Sequence, residues 1–341
     1  MAQDILHDKG HLMNDQKYQP VTRRTFMIST AAGIAAISSS ARAVTSIRAG
    51  LIGCGEVGES LLRATYAHDI PLDILAVADT DSHRLAHLPS KLRTTTSWAS
   101  LIDDKHLDAL LIATPDHLHA AMAQAALVAG KHVYLVPPFA HTNQETQALY
   151  RIATKNSGRL HVAMDSAAQA HWARCKSAAE RNQTGTPRWI QADLPCPPQR
   201  PQDHWSHVHA CGQGDAACSL FSSLYPLIQT FDLGIPSQCS ILGGVFESNG
   251  RETPDTLSIS AEFEKGLRIT LTTKRSATNT MPTVIRGRKG SIELPAPNGA
   301  LHFDLVPWAR SLHDGNPVQG RCLDAALFAH SVLCDALERR V

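Results

Sequence analysis

Six consecutive residues, Gly53-Cys54-Gly55-Glu56-Val57-Gly58, carry the spacing G-x-G-x-x-G. Such a loop has chemical meaning only between a strand and a helix. The apolar run Ile47 to Ile52 in front and the helical pattern Glu59 to Tyr66 behind predict that setting. Gly53 then permits a tight turn, Gly55 lets backbone approach a pyrophosphate, and Gly58 lets the helix pack on the strand. The helix N-terminus turns its partial positive charge on the phosphates, and Glu56 and Val57 complete the cofactor-binding loop. Asp79 follows about 20 residues later at the end of a second predicted strand, where a carboxylate accepts ribose hydroxyls and repels a 2′-phosphate. NAD is the expected cofactor, and Arg84 nearby leaves NADP open.

A second concentration of chemistry lies in Asp203 to Cys211. In an extended segment His207, His209 and Cys211 would share a face. Imidazole and thiolate there could ligate zinc or copper. The plainer alternative is a polar loop over a cleft whose histidines make hydrogen bonds. His117 and His119, after the turn Thr114-Pro115-Asp116, each offer a proton-transfer group. His119 is expected to start a helix. Tyr225 offers a phenol that could polarise a carbonyl, with packing as its plainer role. The 8 cysteines permit disulfides, but their irregular spacing fixes no pairing.

The elements that must position these residues follow from periodicity. Short apolar strands at Asp73 to Ala78, Ala109 to Ala113, His132 to Val136 and His161 to Met164 alternate with helices. One helix runs from His119 to Ala129 and stops at Gly130; the next is capped by Thr142 and Glu145 and runs through Ile152. Strand–helix alternation predicts a parallel sheet covered on both faces. After about residue 165 the texture changes, with strands predicted at Thr256 to Phe263, Leu267 to Lys274, Thr283 to Ile285 and beyond the turn at Gly287. A final helix spans Leu323 to Arg339. The fold class is therefore an α/β Rossmann N-terminal domain plus an α+β C-terminal domain with an open-faced, mostly antiparallel sheet. A chain of 341 residues accommodates both.

A net charge of +1 argues against a nucleic-acid partner. Ahead of the first strand stand Arg23-Arg24, an apolar run from Met27 to Ile37, and Ala41-Arg42-Ala43. Paired arginines, a modest apolar stretch and small residues at its exit describe a twin-arginine export signal. The run is too short to span a bilayer. The expected division is 1–43 signal peptide, 44–164 dinucleotide-binding domain and 165–341 substrate and oligomerisation domain, its final helix packing back. The protein is expected to be exported, folded and cofactor-loaded, to the periplasm or another extracytoplasmic space.

The stretch Asp108 to Phe139, DALLIATPDHLHAAMAQAALVAGKHVYLVPPF, resembles the Gfo/Idh/MocA family, named for glucose–fructose oxidoreductase and inositol dehydrogenase. The resemblance implies NAD(P)-dependent chemistry on a sugar- or polyol-like small molecule and a homo-oligomer formed through the C-terminal sheet. It also places Thr114, Pro115 and His117 at the nicotinamide side of the cleft. The family's Glu-Lys-Pro motif, whose lysine assists proton transfer, is here Val136-Pro137-Pro138. Proline has neither an ammonium nor a backbone N–H. Lys131, six strand residues away, lies some 20 Å off, at about 3.3 Å per residue. A second family pattern keeps its frame at Gly212, Gly214, Pro226, Gly234 and Pro236. Its ionisable positions hold Cys218, Ser222 (for histidine) and Tyr225. Three readings follow: an oxidoreductase with replaced catalytic groups, a non-catalytic NAD(P)- or sugar-binding pseudoenzyme, or a metal-assisted enzyme using 204–211.

Overall fold

The computed structural model describes residues 46–338, apart from 68, 157, 183, 195, 197–199, 201–203, 247–249, 265, 275–280, 298–302 and 316–320. The export segment 1–43 lies outside the described residues.

The first sheet is built from β1 (Ile47–Ile52), β2 (Leu72–Ala78), β3 (Arg93–Thr95), β4 (Ala109–Ile112), β5 (His132–Leu135) and β6 (Leu160–Val162). Every neighbouring pair is parallel, in the order β3-β2-β1-β4-β5-β6. All four residues of β4 are buried, as expected for a strand covered on both faces. The order reverses between β1 and β4, which opens a crevice at the carboxyl ends of the strands. Gly53, Asp79, Ala113 and Val136 each stand one residue past such an end.

Helices α1 (Glu56–Ala67), α2 (Ser82–Ala86), α3 (Ala99–Asp103), α4 (Asp116–Val128) and α5 (Asn143–Lys155) make the crossovers. α4 starts at Asp116 rather than His119, because Pro115 supplies its N-cap and fixes the entry. Gly130, at φ 79°, ends it. The predicted capping box is present: the Thr142 hydroxyl accepts the Glu145 N–H, and Glu145 accepts the Thr142 N–H.

α6 (Ser166–Arg181) leads into a second sheet of β7 (Pro187–Leu194), β8 (Pro236–Gly244), β9 (Thr256–Phe263), β10 (Leu267–Lys274), β11 (Thr283–Gly287) and β12 (Ser291–Leu294). Its order is β12-β11-β7-β10-β9-β8, antiparallel except for the parallel pair β7–β10. α7 (Asp215–Phe231) packs against this sheet and α6, and nearly all of its residues are buried. The last helices return to the first half: α8 (Leu305–His313) lies against β1, and α9 (Arg321–Glu338) against α5, α7 and β6. Asp304, ahead of α8, accepts the Tyr134 hydroxyl (3.0 Å), the Met164 N–H (3.0 Å) and a bond from His161 Nε2 (2.8 Å). One apolar core runs from the first sheet through α7 into the second.

Candidate active site

The glycine loop follows β1 directly. Gly53 sits at φ 90°, where a side chain is strained, and a Cβ there would meet the Ala113 carbonyl oxygen at 2.3 Å. A Cβ on Gly58 would meet the Gly53 carbonyl oxygen at 2.0 Å. These two glycines therefore serve packing. Gly55 differs: a Cβ there meets only Arg84 Nη1, at 3.6 Å, and otherwise opens into the cleft. That vacant space beside a helix N-terminus fits a pyrophosphate. Asp79 holds the loop in place, with Oδ2 accepting the Cys54 N–H at 2.7 Å and Oδ1 the Asp81 N–H at 2.9 Å. Arg84 Nη1 lies 3.5 Å from Asp79 Oδ2, so a cation and a carboxylate share the ribose position.

The cleft, about 290 Å³, continues from this loop past Thr114, Pro115, Val136 and Pro137 to a wall supplied by the second half: Arg200, His204, Trp205, Asp215 and Cys218. Arg200 crosses it, with Nη1 2.5 Å from Glu56 Oε2 and Nε 3.2 Å from Asp215 Oδ1. His207 Nε2 lies 3.9 Å from Asp215 Oδ2 and 3.2 Å from Arg251 Nη2, so Asp215 stands among basic groups.

Asp116 has the opposite surroundings. It is 4% exposed, and its Oδ2 accepts the Gln213 N–H at 3.0 Å. Among the described residues no Lys, Arg or His nitrogen forms an ion pair with it. Burial first, and the nearby Asp215 carboxylate second, push its pKa up to about 7, against the opposing Gln213 hydrogen bond. Burial, with Asp116 and Asp215, pushes the Cys218 thiol up to about 12, which makes it a poor nucleophile at neutral pH. Burial, then Arg200, lowers His204 below the usual imidazole range.

The residues singled out from sequence separate accordingly. Gly53, Gly55, Glu56, Val57, Asp79, Thr114 and Pro115 line the cleft, and Gly58 supports it from behind. His117 is not among the lining residues: its Nδ1 is 3.0 Å from the Cys211 carbonyl oxygen, tying α4 to the second half. His119 is fully buried between the carbonyls of Pro138 and Thr114, both at 2.8 Å, and burial lowers its pKa. It braces the chain and cannot exchange protons with a ligand. Tyr225 is buried 5.8 Å from the Phe221 ring and Ser222 is buried one turn earlier on α7; neither lines the cleft. Lys131 Nζ donates to the carbonyls of Asp104 and Leu107, a structural role.

The metal reading is corrected. Residues Trp205–His207 form a 3-10 turn, so alternation does not put His207, His209 and Cys211 on one face. His207 turns to Arg251 and Asp215, the His209 N–H donates to Glu252, and the Cys211 carbonyl faces His117. Among the described residues no three His, Cys, Asp or Glu side chains gather as a metal set. The plainer reading of 203–211, a polar loop over the cleft, fits His204, which lines it and bonds to the Ser206 hydroxyl; sequence reasoning missed Asp116, Asp215 and Arg200 as cleft residues. Only the Thr114-Pro115-Asp116 turn, at a strand's carboxyl end, could have pointed to one of them.

The sequence pattern of the Gfo/Idh/MocA oxidoreductases, described as having an NAD-binding Rossmann fold, matches residues 47–164. Those residues belong to this family. NAD(P) is the cofactor class of its Rossmann fold. Levoglucosan dehydrogenase of Pseudarthrobacter phenanthrenivorans is 44% identical over 69 residues, 20% of this chain and 17% of that protein. Inositol 2-dehydrogenase of Salmonella typhimurium is 28% identical over 119 residues, 34% of this chain and 35% of that protein. The matches thus span well under half of these Gfo/Idh/MocA relatives. Solved structures match further. The WlbA dehydrogenase of Bordetella pertussis, in complex with NADH and UDP-GlcNAcA, superposes with TM-score 0.71 at 19% identity, over 87% of this chain and 98% of that one. An NAD-binding protein from Listeria innocua gives 0.69 at 20%, over 86% and 96%. At such identities the likeness shows a shared fold.

Proposed function

We propose that the protein is an NAD(P)-dependent oxidoreductase acting on a hydroxyl-bearing carbon of a sugar- or polyol-like compound. The observation that carries this reading is the continuity of the cleft. The open space at Gly55 and the carboxylate at Asp79 lead without interruption to a chamber walled by Asp116, Asp215 and Cys218. When bound, the dinucleotide supplies the site for hydride exchange. The chain's own residues seat it through the loop's N–H groups, exclude water with Trp98 and Trp205, and close over it with Arg200. Asp79 favours NAD, and Arg84 is positioned to meet a 2′-phosphate. Two of the named relatives act on levoglucosan and inositol, which supports a polyhydroxylated substrate.

A second reading, a non-catalytic NAD(P)- or sugar-binding protein, is supported by Pro137 in the cleft at the position where the family resemblance leads one to expect a lysine, and by Ser222 buried away from the cleft. Titrating NADH fluorescence and then following absorbance with a sugar and polyol panel separates the two. Binding with measurable turnover supports the enzyme, and binding alone supports the pseudoenzyme. An absence of binding at millimolar dinucleotide would refute both.

Two further expectations belong to this proposal. Leu242, on the edge strand β8, and Phe246 just beyond it are 73% and 71% exposed, which supports a homo-oligomer formed through the second sheet. Arg23-Arg24 ahead of a short apolar run supports twin-arginine export to the periplasm. Among the described residues no helix is long and apolar enough to cross a membrane.

A further inference from the structure

We propose that Asp116, at the start of α4, carries the proton exchanged with the substrate hydroxyl, and that Asp215 on α7 acts as its positioning residue. This rests on the oxidoreductase reading above. The argument begins with position. The carboxyl end of β5 presents Val136 and Pro137, which have no ionisable group. The adjacent carboxyl end of β4 leads through Thr114 and Pro115 into Asp116, whose carboxyl lines the same chamber. Both strand ends lie on the far side of the order reversal from Asp79, where the nicotinamide half of a dinucleotide belongs.

The second part of the argument is asymmetry. Two neighbouring carboxylates in unlike surroundings take unlike roles. Asp215 has Arg200 at 3.2 Å and His207 at 3.9 Å. The groups facing Asp116 are Asp215 and Cys218 from α7 and the Gln213 N–H; Arg200 and His204 line the same cleft but form no ion pair with it, and His117, the next residue on its own helix, is turned to the Cys211 carbonyl. Its pKa of about 7 makes both protonation states available at neutral pH, as proton transfer requires. Cys218 stays a neutral thiol and His119 is sealed between carbonyls, whereas Asp116 lines the chamber at the carboxyl end of β4. In the oxidation direction the carbinol carbon gives up a hydride to the nicotinamide dinucleotide, the C=O bond forms, and the hydroxyl proton passes to the Asp116 carboxylate. Reduction returns that proton from the carboxylic acid.

The test compares the ratio of NAD+ to NADH affinity across pH in the wild type, Asp116→Asn and Asp215→Asn. An ionised Asp116 facing a cationic nicotinamide tightens NAD+ alone, so the wild-type ratio should rise about fivefold between about pH 6 and pH 8, out of the roughly tenfold that one pK unit of coupling gives across the whole titration. Asp116→Asn, which retains an acceptor for the Gln213 N–H, should show a flat ratio. Asp215→Asn should keep the rise and move its midpoint to lower pH, because the like charge is gone. Where turnover is measurable, Asp116→Asn should lower kcat by about 10²-fold or more with dinucleotide affinity at low pH unchanged, and Asp116→Glu should restore part of it. A wild-type ratio independent of pH, or the same rise in Asp116→Asn, overturns the assignment while leaving dinucleotide binding standing. No dinucleotide binding at all overturns both.

Discussion

Replacing Asp116 by asparagine should change how stability depends on pH, whether or not any substrate is known. The carboxyl is held near pKa 7 in the fold, against an ordinary value of 3.8. A raised carboxyl pKa means that the folded state binds more protons than the unfolded state between those two values. Stability from this group is therefore fully present below pH 4 and is lost as pH rises through 7. The whole span, about 3 pK units at 1.36 kcal/mol each, amounts to roughly 4 kcal/mol, of which about 2 to 3 kcal/mol falls between pH 5 and pH 8. The side chain is buried, 4% exposed, so solvent screening takes little from this figure. Asparagine cannot ionise, and it keeps the shape that meets the Gln213 N–H. Thermal melts of the two proteins at half-unit steps from pH 5 to pH 8 should therefore converge or cross. The wild type should lose about 4 °C relative to the variant over that range, given the unfolding entropy of a protein this long. Titrating groups not coupled to Asp116 cancel in the difference, and the Cys218 thiol, pushed up to about 12, stays neutral over this range. Parallel melting curves, within about 1 °C throughout, would show that Asp116 ionises normally and would remove the basis for its proposed role.

Other substitutions test separate parts of the structure. Gly55→Val should abolish NADH binding in a fluorescence titration with little change in Tm, since only Arg84 stands near the added carbon. Gly58→Ala should instead destabilise the fold by about 1–3 kcal/mol in urea unfolding, because its Cβ meets a backbone carbonyl. Asp79→Ser should shift preference toward NADP, read as at least a tenfold change in the ratio of the two dissociation constants, as a repulsive carboxylate beside Arg84 is removed. Alkylation by iodoacetamide at pH 8, followed by mass spectrometry, should label the exposed Cys239 and spare Cys218, whose thiolate fraction is about one in ten thousand. Asp304→Ala should cost about 3–5 kcal/mol, because Tyr134, His161 and the Met164 N–H lose a buried acceptor together.

The first half of the fold was legible because its signals are local. Buried parallel strands read as unbroken apolar runs, and the glycine loop, the Thr142–Glu145 capping box and Gly130 are written within a few residues. β9 and β10 were equally plain, since strands facing solvent on one side alternate. α7 gave no such signal: enclosed on nearly all sides, it lacks the polar stripe by which a surface helix is recognised. His207 was misplaced for a similar reason, because nothing in Trp205-Ser206-His207 announces a 3-10 turn. The seat of the dinucleotide could be read from one loop and one aspartate. The proposed proton-transfer pair could not, since Asp116 belongs to the turn after β4 and Asp215 to a helix from the other half, and only folding brings them to one chamber.

The return of the last two helices to the first sheet has a consequence for the order of synthesis. Tyr134 and His161 leave the ribosome long before Asp304, the acceptor that satisfies them, and the apolar side of β1 waits for Leu305 and Trp308. Until then the nascent nucleotide-binding half carries an uncovered apolar face and unsatisfied polar groups. A premature stop ahead of residue 304 would therefore leave β1 uncovered and Tyr134 and His161 without their acceptor, even though every wall residue from Arg200 to Cys218 had been made. In such a chain translation, rather than local helix and strand formation, sets when a competent cofactor site first exists.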